Sequence, residues 1–136
     1  MINTAADLSY NCVKTALEQC EKLAVKFDYA HFWEDICFKN GPLVSPTLFE
    51  EHLGRHYQKI TDLLKNHGVN TMFPIEVGTW NANISPWRKK YGKQLRGGGG
   101  MDKRVFAYDY AAIDAEIERL RPLIELGGFI PAPITG

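Results

Sequence analysis

Val69-Asn70-Thr71-Met72-Phe73-Pro74-Ile75-Glu76-Val77 is a near-continuous apolar run with one carboxylate close to its end. A strand with one face in water alternates apolar and polar residues, whereas a strand covered on both faces does not. The run therefore predicts a parallel strand buried between helices. Its neighbours agree. Upstream, Ser45-Pro46 has the chemistry of a helix start: serine caps the first turn and proline is preset for the first helical position. Glu50 and Glu51 follow where the helix dipole favours acids. Phe49, Leu53, Tyr57, Ile60 and Leu64 mark a buried face, and Gly68 after His67 suits a left-handed C-cap. Downstream, Ser85-Pro86 repeats the start signal for a shorter helix.

The same alternation continues to both ends. Residues 7–27 place Val13, Ala16, Leu17, Cys20, Leu23, Ala24 and Phe27 at helical spacing, with Lys14, Glu18, Glu21, Lys22 and Lys26 on the other face. Tyr29 to Phe38 is aromatic-rich and predicts a strand with a polar end at Glu34-Asp35. Lys39-Asn40-Gly41-Pro42 is turn chemistry. Leu95 to Met101, with glycines at 97–100, predicts another strand. Asp109 caps a last helix with Ile113, Ile117, Leu120 and Ile124 on one face, kinked or limited in its regularity by Pro122. Gly127-Gly128 end it, and Phe129-Ile130 open a final strand. The expected order is α-β-α-β-α-β-α-β in one α/β domain spanning 1–136, with about four parallel strands covered by helices.

Composition narrows the function classes. Sixteen Lys+Arg balance sixteen Asp+Glu, so overall charge favours neither nucleic acid nor an anionic membrane as partner. No apolar run approaches the ~20 residues of a membrane span. The first residues have neither the basic nor the apolar region of a secretory signal. Cys12, Cys20 and Cys37 form no C-x-x-C pair and no even framework, which makes the cytoplasm the expected compartment and small core residues their expected role.

Four stretches, in order, resemble one family. F-W-E-D-I-C-F-K-N-G-P-L-V-S-P (32–46) is similar to its W-E-D-x-x-x-K-N-G-P-x-x-S-P segment, and F-P-I-E-V (73–77) to its F-P-L-E-V strand. L-R-G-G-G-G-M-D-K-R (95–104) is similar to L-x-x-x-G-G-M-D-K, and G-G-F-I-P-A-P (127–133) to G-G-Y-I-P-x-P. The family is uroporphyrinogen decarboxylase and its relatives, the corrinoid and coenzyme M methyltransferases. The resemblance implies the C-terminal portion of a (β/α)8 barrel, a fold that typically takes about 250 residues. It implies a parent enzyme of tetrapyrrole decarboxylation or corrinoid-linked methyl transfer, with a tetrapyrrole or methyl-donor substrate and, in the intact family, zinc or corrinoid. The departures imply that this chain lacks full machinery. The family's N-terminal strands are missing. So is a βα unit expected between His67-Gly68-Val69 and Asn70-Thr71-Met72, which carries zinc ligands in the methyltransferases. The ending Ala132-Pro133-Ile134-Thr135-Gly136 lacks the Asp-His or Cys found in relatives. A non-catalytic product that self-associates, for instance as a homodimer, or that binds a partner, is the rival reading.

Within that frame, strand ends face the active site. Glu34 and Asp35 could bind a cation or act as acid and base, or could be a solvated loop. Glu76 at another strand end has little reason to lie inside a barrel unless paired or functional. Asp102 and Lys103 follow the glycines, which either admit a ligand to the backbone or let strand and helix pack. Glu34, Asp35, Glu76 and Asp102 are the candidate substrate or metal contacts. No metal-ligand set is expected. His52 and His56 are read as a surface pair and not as a site. Arg88, Lys89, Lys90, Lys93 and Arg96 are read as a solvated helix face.

Overall fold

The computed structural model of the chain describes residues 2–32, 37–38, 41–77 and 84–133. It is an α/β protein in which a four-stranded sheet has the order β1-β4-β5-β6: β1 Tyr29–His31, β4 Asn70–Ile75, β5 Arg96–Gly100 and β6 Phe129–Ala132. A separate antiparallel pair, β2 (Cys37–Phe38) and β3 (Gly41–Pro42), lies between β1 and the next helix in the chain. The helices are α1 (Ile2–Lys22), α2 (Pro46–Phe49), α3 (Arg55–Asn66), α4 (Ser85–Tyr91) and α5 (Tyr110–Leu126). None of the described helices is long and apolar enough to cross a membrane. The described residues divide into two compact units, one from 2–30, 37–38 and 41–71, the other from 31–32, 72–77 and 84–133.

In the first unit, α1 presents Ala6, Tyr10, Val13, Leu17 and Cys20 as its less exposed stripe, with Leu17 buried. The helix starts earlier and stops sooner than its sequence pattern predicts. Ala24 turns left-handed (φ 55°), Val25 N–H donates to Cys20 O (2.9 Å) and Ala24 N–H to Glu21 O (3.2 Å). This paired ending closes the helix, so Leu23 and Phe27 fall outside the helical stripe and are exposed. The second helical stretch ends identically at Gly68 (φ 74°), where Val69 N–H reaches Leu64 O and Gly68 N–H reaches Lys65 O. Here glycine adopts the conformation without the Cβ clash that Ala24 carries.

Ser45 caps α2 as expected: Leu48 N–H donates to Ser45 Oγ (3.2 Å). The helix then passes through a π-helical turn, Glu50–Gly54, before continuing as α3. Contacts between α1 and this helix advance together along both helices. Arg55 donates to Asn3 Oδ1 (2.8 Å), Lys59 lies 3.7 Å from Asp7 and His67 lies 2.7 Å from Glu21. The two helices therefore run in the same direction. His56 also meets Asn3 Oδ1 (3.1 Å), while His52 sits beside Glu51 (3.9 Å), so each histidine has its own neighbour.

In the second unit, β4, β5 and β6 pair in parallel, with Phe73↔Gly97 and Gly97↔Phe129 in register. Ile84, Leu120, Leu123 and Phe129 form the buried core, and Ile75, Leu95 and Met101 pack against it. Asp109 caps α5 by accepting Ala112 N–H (2.9 Å). Pro122 lies inside α5, which runs to Leu126 with Gly127 as its C-cap, where the glycine pair was expected to end it. The buried stripe of α5 differs from the expected one. It contains Glu116, Leu120 and Leu123, while Ile117 (43%) and Ile124 (44%) stay exposed. The strand predicted over Tyr29–Phe38 is also shorter, since β1 stops at His31 and Cys37–Phe38 pairs instead with Gly41–Pro42. Helix α4 begins at Ser85 with Ile84 as its cap residue, one position earlier than the serine signal implies.

The glycines of β5 have different reasons. A Cβ on Gly97 would stand 3.0 Å from both Ile75 Cγ1 and Ile84 Cδ1. Gly100 combines a left-handed backbone (φ 72°) with the Phe129 ring 3.0 Å from where a Cβ would be. Gly98 has only Met72 Cε at 3.8 Å, an ordinary contact. Gly97→Ala should therefore destabilise the chain by about 1–3 kcal/mol through overpacking, whereas Gly98→Ala should be neutral or slightly stabilising. Urea unfolding of the two variants distinguishes these outcomes, and equal losses would contradict this packing account.

Candidate functional site

The parallel register aligns the C-terminal ends of β4 and β5. Ile75 pairs with Gly99, so the residues that leave the strands, Glu76 from one and Asp102-Lys103 from the other, emerge at the same end. Lys103 Nζ lies 3.6 Å from Glu76 Oε1, and both side chains are 38% exposed. Water reaches both ends of this pair, and an accessible ion pair contributes little to stability.

Asp102 is placed differently. Its Oδ1 accepts Arg104 N–H (3.0 Å) and Arg104 Nε (2.8 Å), and its Oδ2 accepts Arg104 Nη2 (2.7 Å). Arg104 holds the Asp102 carboxyl below its ordinary range, chiefly through those side-chain hydrogen bonds. A carboxylate so engaged is a poor proton acceptor. Its role in this structure is to cap the 3₁₀ turn Lys103–Ala107 and so fix the direction in which Lys103 leaves the strand.

Beneath the turn lies a group that apolar periodicity did not identify. Glu116, 6% exposed, accepts Asp102 N–H at Oε1 (2.7 Å) and takes Arg119 on both oxygens, Nη2 to Oε1 (2.6 Å) and Nε to Oε2 (2.7 Å). Arg119 Nη2 also donates to Gly100 O (2.7 Å). A buried charge is tolerable when paired and hydrogen-bonded, and here one carboxylate and one guanidinium tie α5 to the backbone on both sides of Met101. The signal was present as Glu116-x-x-Arg119, an i,i+3 pair set between Ile113 and Leu120 on the helix stripe. Counting only apolar residues passes over it.

Arg88 was also misread from sequence. It is 2% exposed and lies inside, not on a solvated face. Its Nη1 donates to Leu95 O (2.6 Å) and Gly128 O (3.3 Å), and its Nη2 donates to Gly127 O. Burial lowers its pKa. A cation at the C-terminal carbonyls of α5 complements the helix dipole, and the same guanidinium joins the starts of β5 and β6.

Of the residues singled out from sequence, Glu76 and Lys103 are brought together, and Asp102 adjoins them with its carboxylate engaged. Glu34 and Asp35 lie outside the described residues. A zinc site needs about three protein ligands at one place. Among the described residues no three His, Cys, Asp or Glu side chains are grouped to hold a metal. Compared with known proteins, the chain matches no family model, and no curated protein or solved structure is significantly similar to it.

The pH dependence of the clamp has a definite sign. Glu116 is held below its ordinary value of 4.5, first by the hydrogen bonds from Arg119, against the opposing effect of burial. A carboxyl with a depressed folded-state pKa stabilises the fold above the unfolded value and loses that contribution as pH falls through the folded value. Stability should be flat above 4.5 as far as this group is concerned and decline below it. Thermal melts across that range should show a weaker acid dependence in Glu116→Gln, together with a lower neutral-pH stability of roughly 1.5–3 kcal/mol, the scale of a charge-assisted hydrogen bond lost from a buried carboxylate. An unchanged acid limb in the variant would remove Glu116 as its origin.

Proposed function

We propose that this chain supplies part of the strand-end rim of a (β/α)8 barrel resembling uroporphyrinogen decarboxylase and the corrinoid-linked methyltransferases, and that alone it lacks the full catalytic machinery. The observation that carries this reading is the sheet order. Strands β1, β4, β5 and β6 stand in chain order without reversal, as in a singly wound barrel, whereas doubly wound open sheets reverse at a switch point. The parallel run of α1 and α3 supports the same repeat. On this reading Lys103 is the cation that meets a substrate carboxylate, Glu76 orients Lys103 before substrate arrives, and Asp102 fixes the turn between them. Glu34 and Asp35 are further candidate contacts of the same rim. Tetrapyrrole decarboxylation and corrinoid-linked methyl transfer remain the two activities proposed for the intact enzyme.

The test is an absorbance titration with uroporphyrin, a stable tetrapyrrole polycarboxylate. The chain should perturb the porphyrin band at low ionic strength without consuming the ligand. Lys103→Ala should weaken the perturbation roughly tenfold, the scale of one charge-assisted hydrogen bond, and Arg121→Ala should not. Absence of any perturbation, or equal binding by Lys103→Ala, would sink the assignment.

A second reading, self-association as a homodimer, is favoured by Phe73 (37% exposed) and Ile130 (50% exposed), apolar side chains that the strands leave open to solvent. Light scattering after size-exclusion chromatography should then give a defined dimer whose unfolding midpoint rises with concentration. A monomer with a concentration-independent midpoint would exclude this reading.

A further inference from the structure

From Val77 to Met101 the chain contains no Asp or Glu, yet it carries Arg88, Lys89, Lys90, Lys93 and Arg96. The zero net charge of the whole chain conceals this local excess. The fold sorts the basic residues. Arg88 turns inward to backbone carbonyls and Arg96 is half-buried, while Lys89, Lys90 and Lys93 are exposed. Among the described residues no carboxylate forms an ion pair with any of these lysines. Two large aromatic side chains share the surface, Trp87 at 62% exposure and Tyr91 at 56%. Trp87, Lys90 and Tyr91 stand at i, i+3 and i+4, on one face of α4, and Lys90 Nζ lies 5.0 Å from the Tyr91 ring centroid. Lys93 follows in the turn after α4, and Lys89 is exposed on another side of the same short helix. Leu126, 45% exposed, precedes Gly127, whose carbonyl Arg88 holds. Glu125 precedes Leu126 in the chain.

We propose that this face of α4 and the turn after it is a docking surface for an anionic lipid bilayer. Lysines attract a negatively charged leaflet, and Trp and Tyr seat amphipathic rings at headgroup depth. The shape favours a bilayer over nucleic acid. Single strands are usually held in a basic groove with stacking platforms, whereas a short surface helix is convex and meets a plane. With no net charge on the chain, attraction comes from the patch alone and is screened within a Debye length. Attachment is therefore peripheral, reversible and weakened by salt.

The experiment is co-sedimentation of the full chain with phosphatidylcholine vesicles, with and without phosphatidylserine, over a salt series. The chain should partition onto phosphatidylserine vesicles and be released by salt. The triple variant Lys89→Glu, Lys90→Glu, Lys93→Glu should lose at least about tenfold in partitioning. Trp87→Ala should lose roughly fivefold and keep the salt dependence. Circular dichroism melts matching the parent show that these exposed substitutions leave the fold intact. Equal binding to neutral vesicles, no binding to either, an undiminished triple variant, or tighter binding to a single-stranded oligonucleotide would each overturn the proposal.

Discussion

The carboxylate of Glu116 is the constraint on which the strand-end geometry depends. It lies under the exit of β5, accepts the Asp102 N–H and aligns Arg119 so that the guanidinium also reaches Gly100 O. The last residue of the strand and the first of the turn are thus fixed from the same helix. Without that anchorage, Asp102 could still pair with Arg104, but the turn that aims Lys103 toward Glu76 would be held only by contacts at the solvent boundary. A buried anion with its full complement of donors sets position more narrowly than apolar packing does, because its hydrogen bonds are directional.

Arg88 plays the corresponding part at the other end of the same strands. It gathers the carbonyls of Leu95, Gly127 and Gly128, where α5 stops and the strands begin. Its Nε has no hydrogen-bond partner among the described residues, a cost that the three carbonyl contacts offset. Ile84, Leu120, Leu123 and Phe129 form the apolar core of the same unit. Apolar burial supplies the general attraction, and the two arginine-centred networks determine the register in which α5 meets the sheet.

What the sequence made legible was what is decided locally. Ser45 and Asp109 cap helices, Gly68 closes one, and Val69–Val77 contains a strand, because each depends on a few adjacent residues. The alternation of helices with parallel strands followed from those elements. What depends on distant partners was not legible. Ile117 looked interior until Glu116 took the inward position through its bonds to the 100–102 backbone. Arg88 looked solvated because its acceptors lie up to 40 residues away. Of the candidate site, the nearness of Glu76 and Lys103 follows from strand-end placement, but the engagement of Asp102 by Arg104 required the turn geometry. The end of α1 escaped because alanine gives no left-handed signal of the kind that Gly68 gives.

The glycine run has a consequence for the order in which this chain can assemble. Residues 97–100 have no side chains to pack and the largest backbone freedom to lose, so β5 has little intrinsic tendency to extend. It nevertheless lies between β4 and β6. One of the two inner strands is thus poorly able to template its neighbours. It becomes a strand only when Ile75, Ile84 and Phe129 are close enough to fill the space its missing side chains leave. Helix α5 and its clamp must then dock before or together with the central pairing, which makes the sheet a product of helix packing and not its scaffold.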